Sequence, residues 1–224
     1  MRLLLVRHGQ TTSNVGHHLD TAVPGADLTD LGRRQAAAIP AALAGESVGL
    51  VVVSDLVRTQ QTAVPLVEAL GTTPWIRPGI REISAGVYEM RNDDEAVEAY
   101  VEGVFGWAED LDMRLAGGET GREVAARFDA VVDEVAAHVG DEGTAVLVSH
   151  GAIIRVWAGL RTHEIDLPYA ATHWVPNTAM LTVTGRPGDW HLESWLEHPL
   201  GGPELGDRAH TGPGGETEAA AESH

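Results

Sequence analysis

The chain contains no cysteine, which removes disulfides, thiolate nucleophiles and cysteine-based zinc sites. It contains no lysine either, and all 15 basic side chains are arginine. Schiff-base catalysis and the lysine of a P-loop are therefore excluded. No apolar run approaches the ~20 residues needed to span a bilayer. The N-terminus enters an apolar run at once, without the charged-then-apolar layout of a signal peptide. These absences predict a soluble, cytoplasmic protein with no membrane partner. Positive charge is scarce as well. The 15 arginines face 33 Asp and Glu, for a formal net charge of −18. Such a field disfavours nucleic acid, whose phosphates want a basic face. It still allows a small phosphorylated metabolite held by a few local arginines. At 224 residues one core and one domain are expected.

Three short apolar runs carry the remaining information. Leu3-Leu4-Leu5-Val6 leads into Arg7-His8-Gly9-Gln10-Thr11-Thr12-Ser13-Asn14. Leu50-Val51-Val52-Val53 leads into Ser54-Asp55-Leu56-Val57-Arg58-Thr59. Ala145-Val146-Leu147-Val148 leads into Ser149-His150-Gly151. Continuous apolar runs of this length suit strands covered on both faces, as in a parallel sheet. Ligands of such sheets gather at the carboxyl ends of the strands. Two histidines and two arginines thus converge on one patch, the composition of a phosphate site with a nucleophile in it.

The rest of the pattern alternates strand and helix. Helices are expected near Thr29–Ala44 with Thr29 or Asp30 as N-cap, near Val57–Leu70, over Thr120–Val139 and near Ala152–Leu160. Pro40 is expected to kink or divide the first of these. Trp75–Arg77 reads as a short strand, and Asp93–Ala108 as an acidic helical segment forming part of a lid. Ala179–Thr184 and Trp190–Trp195 read as a closing hairpin around Gly185-Arg186-Pro187-Gly188. From about Pro199 the composition turns to Gly, Pro, Glu and Ala. Residues 199–224 are expected to be a disordered acidic tail after a domain of residues 1–198. Trp174 and Trp190 are candidates either for a homodimer surface or for the core.

A neutral imidazole is a good nucleophile toward phosphorus, but a phosphate dianion repels it. Arginines remove that obstacle by neutralising and bidentately holding the oxygens, and Arg7 and Arg58 are the candidates. Neighbouring cations also disfavour imidazolium, which keeps the attacking nitrogen of His8 free. His150 is the second imidazole, a candidate donor to a phosphoryl oxygen. Gly151 would let the backbone approach the phosphate at the start of the next helix. A leaving alkoxide needs a proton. Glu82 is the candidate donor, with Glu89 and Glu119 as competitors. The His17-His18 pair is not read as a metal site, because adjacent side chains point apart and no carboxylate cluster supports them.

Taken together, Arg7-His8-Gly9-Gln10-Thr11-Thr12-Ser13-Asn14 resembles the first signature of the phosphoglycerate-mutase-like histidine phosphatase superfamily. Leu28-Thr29-Asp30-Leu31-Gly32-Arg33-Arg34-Gln35-Ala36, Ser54-Asp55-Leu56-Val57-Arg58-Thr59-Gln60-Gln61-Thr62-Ala63, Arg81-Glu82-Ile83, Gly117-Gly118-Glu119-Thr120 and Ser149-His150-Gly151 resemble its later blocks, in the family's order. The resemblance implies a three-layer α/β/α sandwich with a mostly parallel sheet. It implies that His8 is phosphorylated during turnover and that Arg7, Arg58 and His150 complete the phosphate pocket. Thr11 and Asn14 would hydrogen-bond the phosphoryl oxygens or order the loop, Gln10 would bind the phosphate or substrate, and Glu82 would be the proton donor. The activity implied is that of a cofactor-independent phosphomonoesterase, with no metal. Phosphoglycerate mutase is the alternative within this chemistry, and a non-catalytic phospho-ligand binder the alternative outside it. Two segments depart from the family's pattern. Tyr88-Glu89-Met90-Arg91 replaces an aromatic-Glu-Gly element, and the loop His17–Asp27 lacks the tryptophan common in the mutases.

Overall fold

The structure, a computed structural model, describes residues 1–207. Strands β1 (Arg2–Arg7), β2 (Val48–Val53), β3 (Trp75–Ile76), β4 (Thr144–Ser149), β5 (Met180–Arg186) and β6 (Asp189–Trp195) form one sheet. Their spatial order is β3-β2-β4-β1-β5-β6. The first four are mutually parallel, and β5 and β6 are added antiparallel. The helices are α1 (Thr12–Val15), α2 (Asp30–Ala42), α3 (Val57–Leu70), α4 (Asp94–Phe105), α5 (Gly121–Val139), α6 (Gly151–Arg161) and α7 (Leu167–Thr172).

The apolar runs are continuous because the sheet is covered on both faces. Side chains alternate along a strand. Leu3, Leu5, Val52 and Leu147 face a core built with Phe128 and Val132 of α5 and Ile153 and Trp157 of α6. Leu4, Val6, Val53 and Val148 face a second core with Ile39 of α2 and Leu66 of α3. The result is the expected three-layer α/β/α sandwich. β1 and β4 are neighbours, yet the helices that follow them pack in different cores. This is a topological switch point, where the chain ends diverge and leave a crevice beyond the strands' carboxyl ends.

Local signals account for the helix starts. Thr29 caps α2 through Gly32 N, and Thr120 caps α5 in a reciprocal box with Glu123. Pro40 does not divide α2. The helix runs through it and ends two residues later at Ala42, and Pro65 is likewise accommodated inside α3. Each proline forfeits one backbone bond close to the helix's C-terminal half, and the bonds around it suffice.

Three expectations require correction. The segment expected as a lid is α4, whose Ala96, Tyr100 and Val104 are buried in the core; it is a fixed wall. The tail does not begin at Pro199. Leu200 is buried and its N–H bonds to Thr178 O at 3.0 Å, and Gln35 Nε2 donates to Leu205 O at 2.9 Å. Residues 208–224, the remainder of that expected tail, lie outside the described residues. Trp190 is a core residue, its ring tilted against that of Trp157 at 6.0 Å, and Trp174 lies under the Arg155 guanidinium at 4.2 Å. Neither therefore argues for a homodimer. No helix among the described residues is long and apolar enough to cross a membrane.

Candidate active site

The carboxyl ends of β1, β2 and β4 bring three separate sequence blocks together. Arg7, His8, Thr11, Asn14, Arg58 and Glu82 line one cleft, with Ser13, His18, Asp20, Thr21 and Tyr100 around them. The loop after β1 can approach α2 closely because both contact points are glycines. A Cβ on Gly9 would lie 2.7 Å from Gly32 O, and one on Gly32 would lie 2.1 Å from Gln10 O.

His8 is buried, and its Nδ1 lies 2.7 Å from Gly9 O. A carbonyl can only accept, so Nδ1 carries the proton and Nε2 keeps its lone pair. Burial, and then the positive charges of Arg58 and Arg7, hold the imidazole well below its usual pKa. His8 therefore stays neutral at a pH that half-protonates a free histidine. Imidazole NMR over a pH titration is expected to show the Nδ1–H tautomer persisting through pH 6.5. A midpoint at or above that value would sink this assignment.

Arg58 donates Nε–H to His150 Nδ1 at 3.2 Å and Nη2–H to Asp20 O at 2.9 Å. Its buried Nη1 has no hydrogen-bond partner among the described residues, and Asp20 Oδ2 is 3.8 Å away. A buried donor left without a bond is costly unless a ligand completes it. Burial lowers the pKa of Arg58 and takes that of Arg7 to about 10, opposed in both cases by nearby carboxylates including Glu82. Both remain cations. Arg7 is anchored by Nη1 to Val175 O at 2.8 Å.

His150 is fully buried behind the cleft, its ring 5.2 Å from that of His8. Its Nδ1 accepts from Arg58, so Nε2 carries the proton and donates to Ser54 Oγ at 2.8 Å. In this arrangement both ring nitrogens are engaged with protein, and His150 braces Arg58 instead of facing a ligand. Burial and the neighbouring charge of Arg58 keep it neutral, well below the usual imidazole value.

Two expected ligands, Gln10 and Gly151, behave differently from the sequence reading. Gln10 turns its carboxamide away, to Thr29 Oγ1 at 2.7 Å and Asp207 Oδ2 at 2.5 Å. Its role is to tie the loop to α2 and to the end of the described chain. At Gly151 the missing Cβ makes room for Arg7, since a Cβ there would sit 3.3 Å from Arg7 Nε. Two N–H groups in the first turn of α6 are not open to an anion. Ala152 N and Ile153 N donate to the Glu82 carboxylate at 3.2 and 3.0 Å, as a helix N-terminus favours. Thr11 and Asn14 line the cleft but also cap each other in α1, with Asn14 Oδ1 accepting from Thr11 N at 2.9 Å.

The competing carboxylates are committed elsewhere. Glu89 accepts from Thr21 N and Ala22 N at 2.9 and 3.0 Å. Glu119 is held by Arg127 Nε at 2.7 Å. Arg127 also donates to the carbonyls of Gly79, Arg81 and Glu82, at 2.8, 2.7 and 3.2 Å. One α5 side chain thereby fixes the loop that carries Glu82. Asp20, Ser54, Arg127 and Asn177, which donates to His8 O at 3.0 Å, were not assigned roles from sequence. Ser54 opens a quoted motif, but the motif does not say that its hydroxyl holds His150, and no periodicity or motif marks Asp20, Arg127 or Asn177.

A buried pair of arginines flanking a neutral histidine, at the switch point of a doubly wound sheet, defines an anion-binding α/β enzyme site. Residues 3–198 match the model of the histidine phosphatase superfamily, branch 1, and the chain belongs to that family. It is 37% identical over 214 residues to a PE-PGRS family protein of Mycobacterium tuberculosis, across 88% of this chain and 36% of that protein. The chain thus spans about a third of that relative's length. It is 31% identical over 218 residues to a glucosyl-3-phosphoglycerate phosphatase of M. tuberculosis, across 87% of this chain and 93% of that protein. The solved structure of a mycobacterial glucosyl-3-phosphoglycerate phosphatase with VO3 superposes with a TM-score of 0.74 at 29% identity, covering 87% and 98% of the two chains.

Proposed function

We propose that the enzyme hydrolyses small phosphate monoesters in two transfers through His8. In the first, His8 Nε2 forms a bond to phosphorus as the ester P–O bond breaks, and the departing alkoxide takes a proton from Glu82. In the second, water attacks the phosphohistidine, gives a proton to Glu82 and releases phosphate. Arg7 and the unpartnered Nη1 of Arg58 hold the phosphoryl oxygens, and His150 braces Arg58. The observation that carries this reading is the 2.7 Å contact from Nδ1 of the buried His8 to Gly9 O. The Nδ1–H is spent on Gly9 O, which leaves Nε2 as the nucleophile between two cations.

The leaving group would occupy a groove that adjoins the cleft through Thr21 and Glu82 and runs past Asp55, Arg81, Glu89, Glu119 and Arg127. Its arginines are already neutralised. Arg81 Nε donates to Asp55 Oδ1 at 2.8 Å, and Arg127 pairs with both oxygens of Glu119. A leaving group bearing its own carboxylate would meet Glu89 with no uncommitted arginine among the described residues of the lining. A hydroxyl-rich neutral alcohol fits better, and this favours the phosphatase reading over a phosphoglycerate mutase. Hexose or glycerol phosphates are expected to exceed 3-phosphoglycerate in kcat/KM by at least about tenfold, because like-charge contacts cost several kcal/mol. Equal use of 3-phosphoglycerate, with phosphate returned to the glycerate, would favour the mutase.

The role of Glu82 is tested by the leaving group. A general acid matters most when the departing oxygen is strongly basic, and contributes about 10²–10⁴-fold. Glu82→Gln is expected to cripple turnover of alkyl phosphates and to affect p-nitrophenyl phosphate much less. Equal losses on both substrates would assign Glu82 a structural role.

A further inference from the structure

At the end of the sheet opposite the active site, three potential metal ligands from two chain segments converge. β5 and β6 are joined by a turn next to the start of β1, where Arg2 pairs with Thr184. The candidate active site lies past the other end of β1, at Arg7 and His8. The two ends are about 20 Å apart at the usual rise of a strand. Asp189 and His191 belong to β6, two positions apart and so on one face of that strand. His163 comes from the segment after α6. That segment adds to the β6 edge, with a parallel bridge from Thr162 to Trp190 and His163 N donating to Trp190 O at 3.2 Å. Backbone hydrogen bonding therefore sets the spacing of the three side chains.

We propose that His163, Asp189 and His191 form a binding site for one divalent transition metal of the zinc type. Both imidazoles aim Nε2 at the same oxygen, Asp189 Oδ1, at 3.1 Å from His163 and 3.8 Å from His191. The three ligand atoms lie within 4.8 Å of one another. A tetrahedral ion with bonds of about 2.0–2.1 Å separates its ligands by about 3.3 Å, so only small side-chain adjustments close the site. The fourth position would hold water.

A second, independent feature is the outer carboxylate. Glu164 Oε1 lies 2.8 Å from His191 Nδ1, and its other oxygen accepts Leu192 N at 2.6 Å. Glu164 thereby fixes the Nδ1–H tautomer of His191 and points the Nε2 lone pair at the site. Carboxylate–histidine pairs orient metal-bound imidazoles in this way. Among the described residues, Arg186 is the arginine paired with the cluster, with Nη2 3.8 Å from Asp189 Oδ2, the oxygen not used. Asp189 and Glu164 together outweigh it. The two imidazole donors suit zinc, copper, iron and nickel far better than calcium or magnesium, which prefer all-oxygen ligands.

The test is calorimetric titration of the chelator-stripped full chain with Zn²⁺ near pH 7.5. One equivalent is expected to bind. His163→Ala combined with His191→Ala is expected to abolish that equivalent. Glu164→Gln is expected to weaken it about 10–100-fold. All three side chains are solvent-facing, so circular dichroism should be unchanged in the variants. Absence of saturable binding, or binding unaffected by the double substitution, would overturn the site. Unchanged affinity in Glu164→Gln would overturn the carboxylate-oriented geometry.

Discussion

His8→Ala is expected to abolish turnover, with a loss on the order of 10⁶, as for removal of a covalent nucleophile elsewhere. The argument begins with protonation. A histidine in this position would be useless as imidazolium, and burial together with Arg58 and Arg7 prevents that form. Next comes orientation. The bond from Nδ1 to Gly9 O fixes the ring, and Asn177 Nδ2 fixes the His8 carbonyl from the other side. The variant keeps both arginines and so should still bind phosphate. Rapid quenching of the wild-type enzyme with a labelled substrate should trap phosphate on nitrogen, labile in acid and stable in base. The variant should trap none. Label found on a serine or an aspartate would remove His8 from the mechanism. Circular dichroism on the variant separates loss of chemistry from loss of fold.

Much of this site was legible before any coordinates because strand ends and motifs coincide. Leu3–Val6, Leu50–Val53 and Ala145–Val148 are buried on both faces, so their hydrophobicity is unbroken and their ends are easy to place. The polar residues just beyond them have nowhere to go but the crevice. What was not legible has a common cause, which is that it depends on contacts between distant segments. The carboxylate of Glu82 sits on the first turn of α6, some 70 residues away. Arg127 secures Glu82 from α5, and in sequence it looks like an ordinary charge on an amphipathic helix. Gln10 lies inside the strongest motif, yet bonds outward to Thr29 and Asp207. The short helix α7 was missed because six residues carry too little periodicity to count. Met90 stands where the family pattern places glycine, and its backbone adopts φ of 62°. The left-handed conformation that favours glycine is thus retained without it, held by Met90 N donating to Leu19 O and Leu19 N to Arg91 O, both at 2.9 Å.

The second large effect is expected at Arg58. Arg58→Lys keeps the charge and discards the geometry. A guanidinium serves three directions here: Nε to His150, Nη2 to the Asp20 carbonyl, and Nη1 into the cleft. An ammonium on a flexible stem cannot hold all three. Placed to reach the phosphoryl group, it abandons His150 Nδ1, a buried acceptor whose loss of a partner costs about 1–3 kcal/mol. Placed to satisfy His150, it leaves the transferring group under-neutralised. The charge on that group is most demanding in the transition state, where preorganised donors contribute most. Loss of one such donor typically costs on the order of 10²–10³ in rate. The fall is therefore expected in kcat more than in KM. Vanadate, which mimics the trigonal-bipyramidal state, should lose more affinity than inorganic phosphate does. Parallel losses for the two anions would mean that Arg58 supplies only ground-state binding. Near-normal kcat/KM in Arg58→Lys would mean that Nη1 does not meet the phosphoryl group at all, and Arg7 would then be the cation to test.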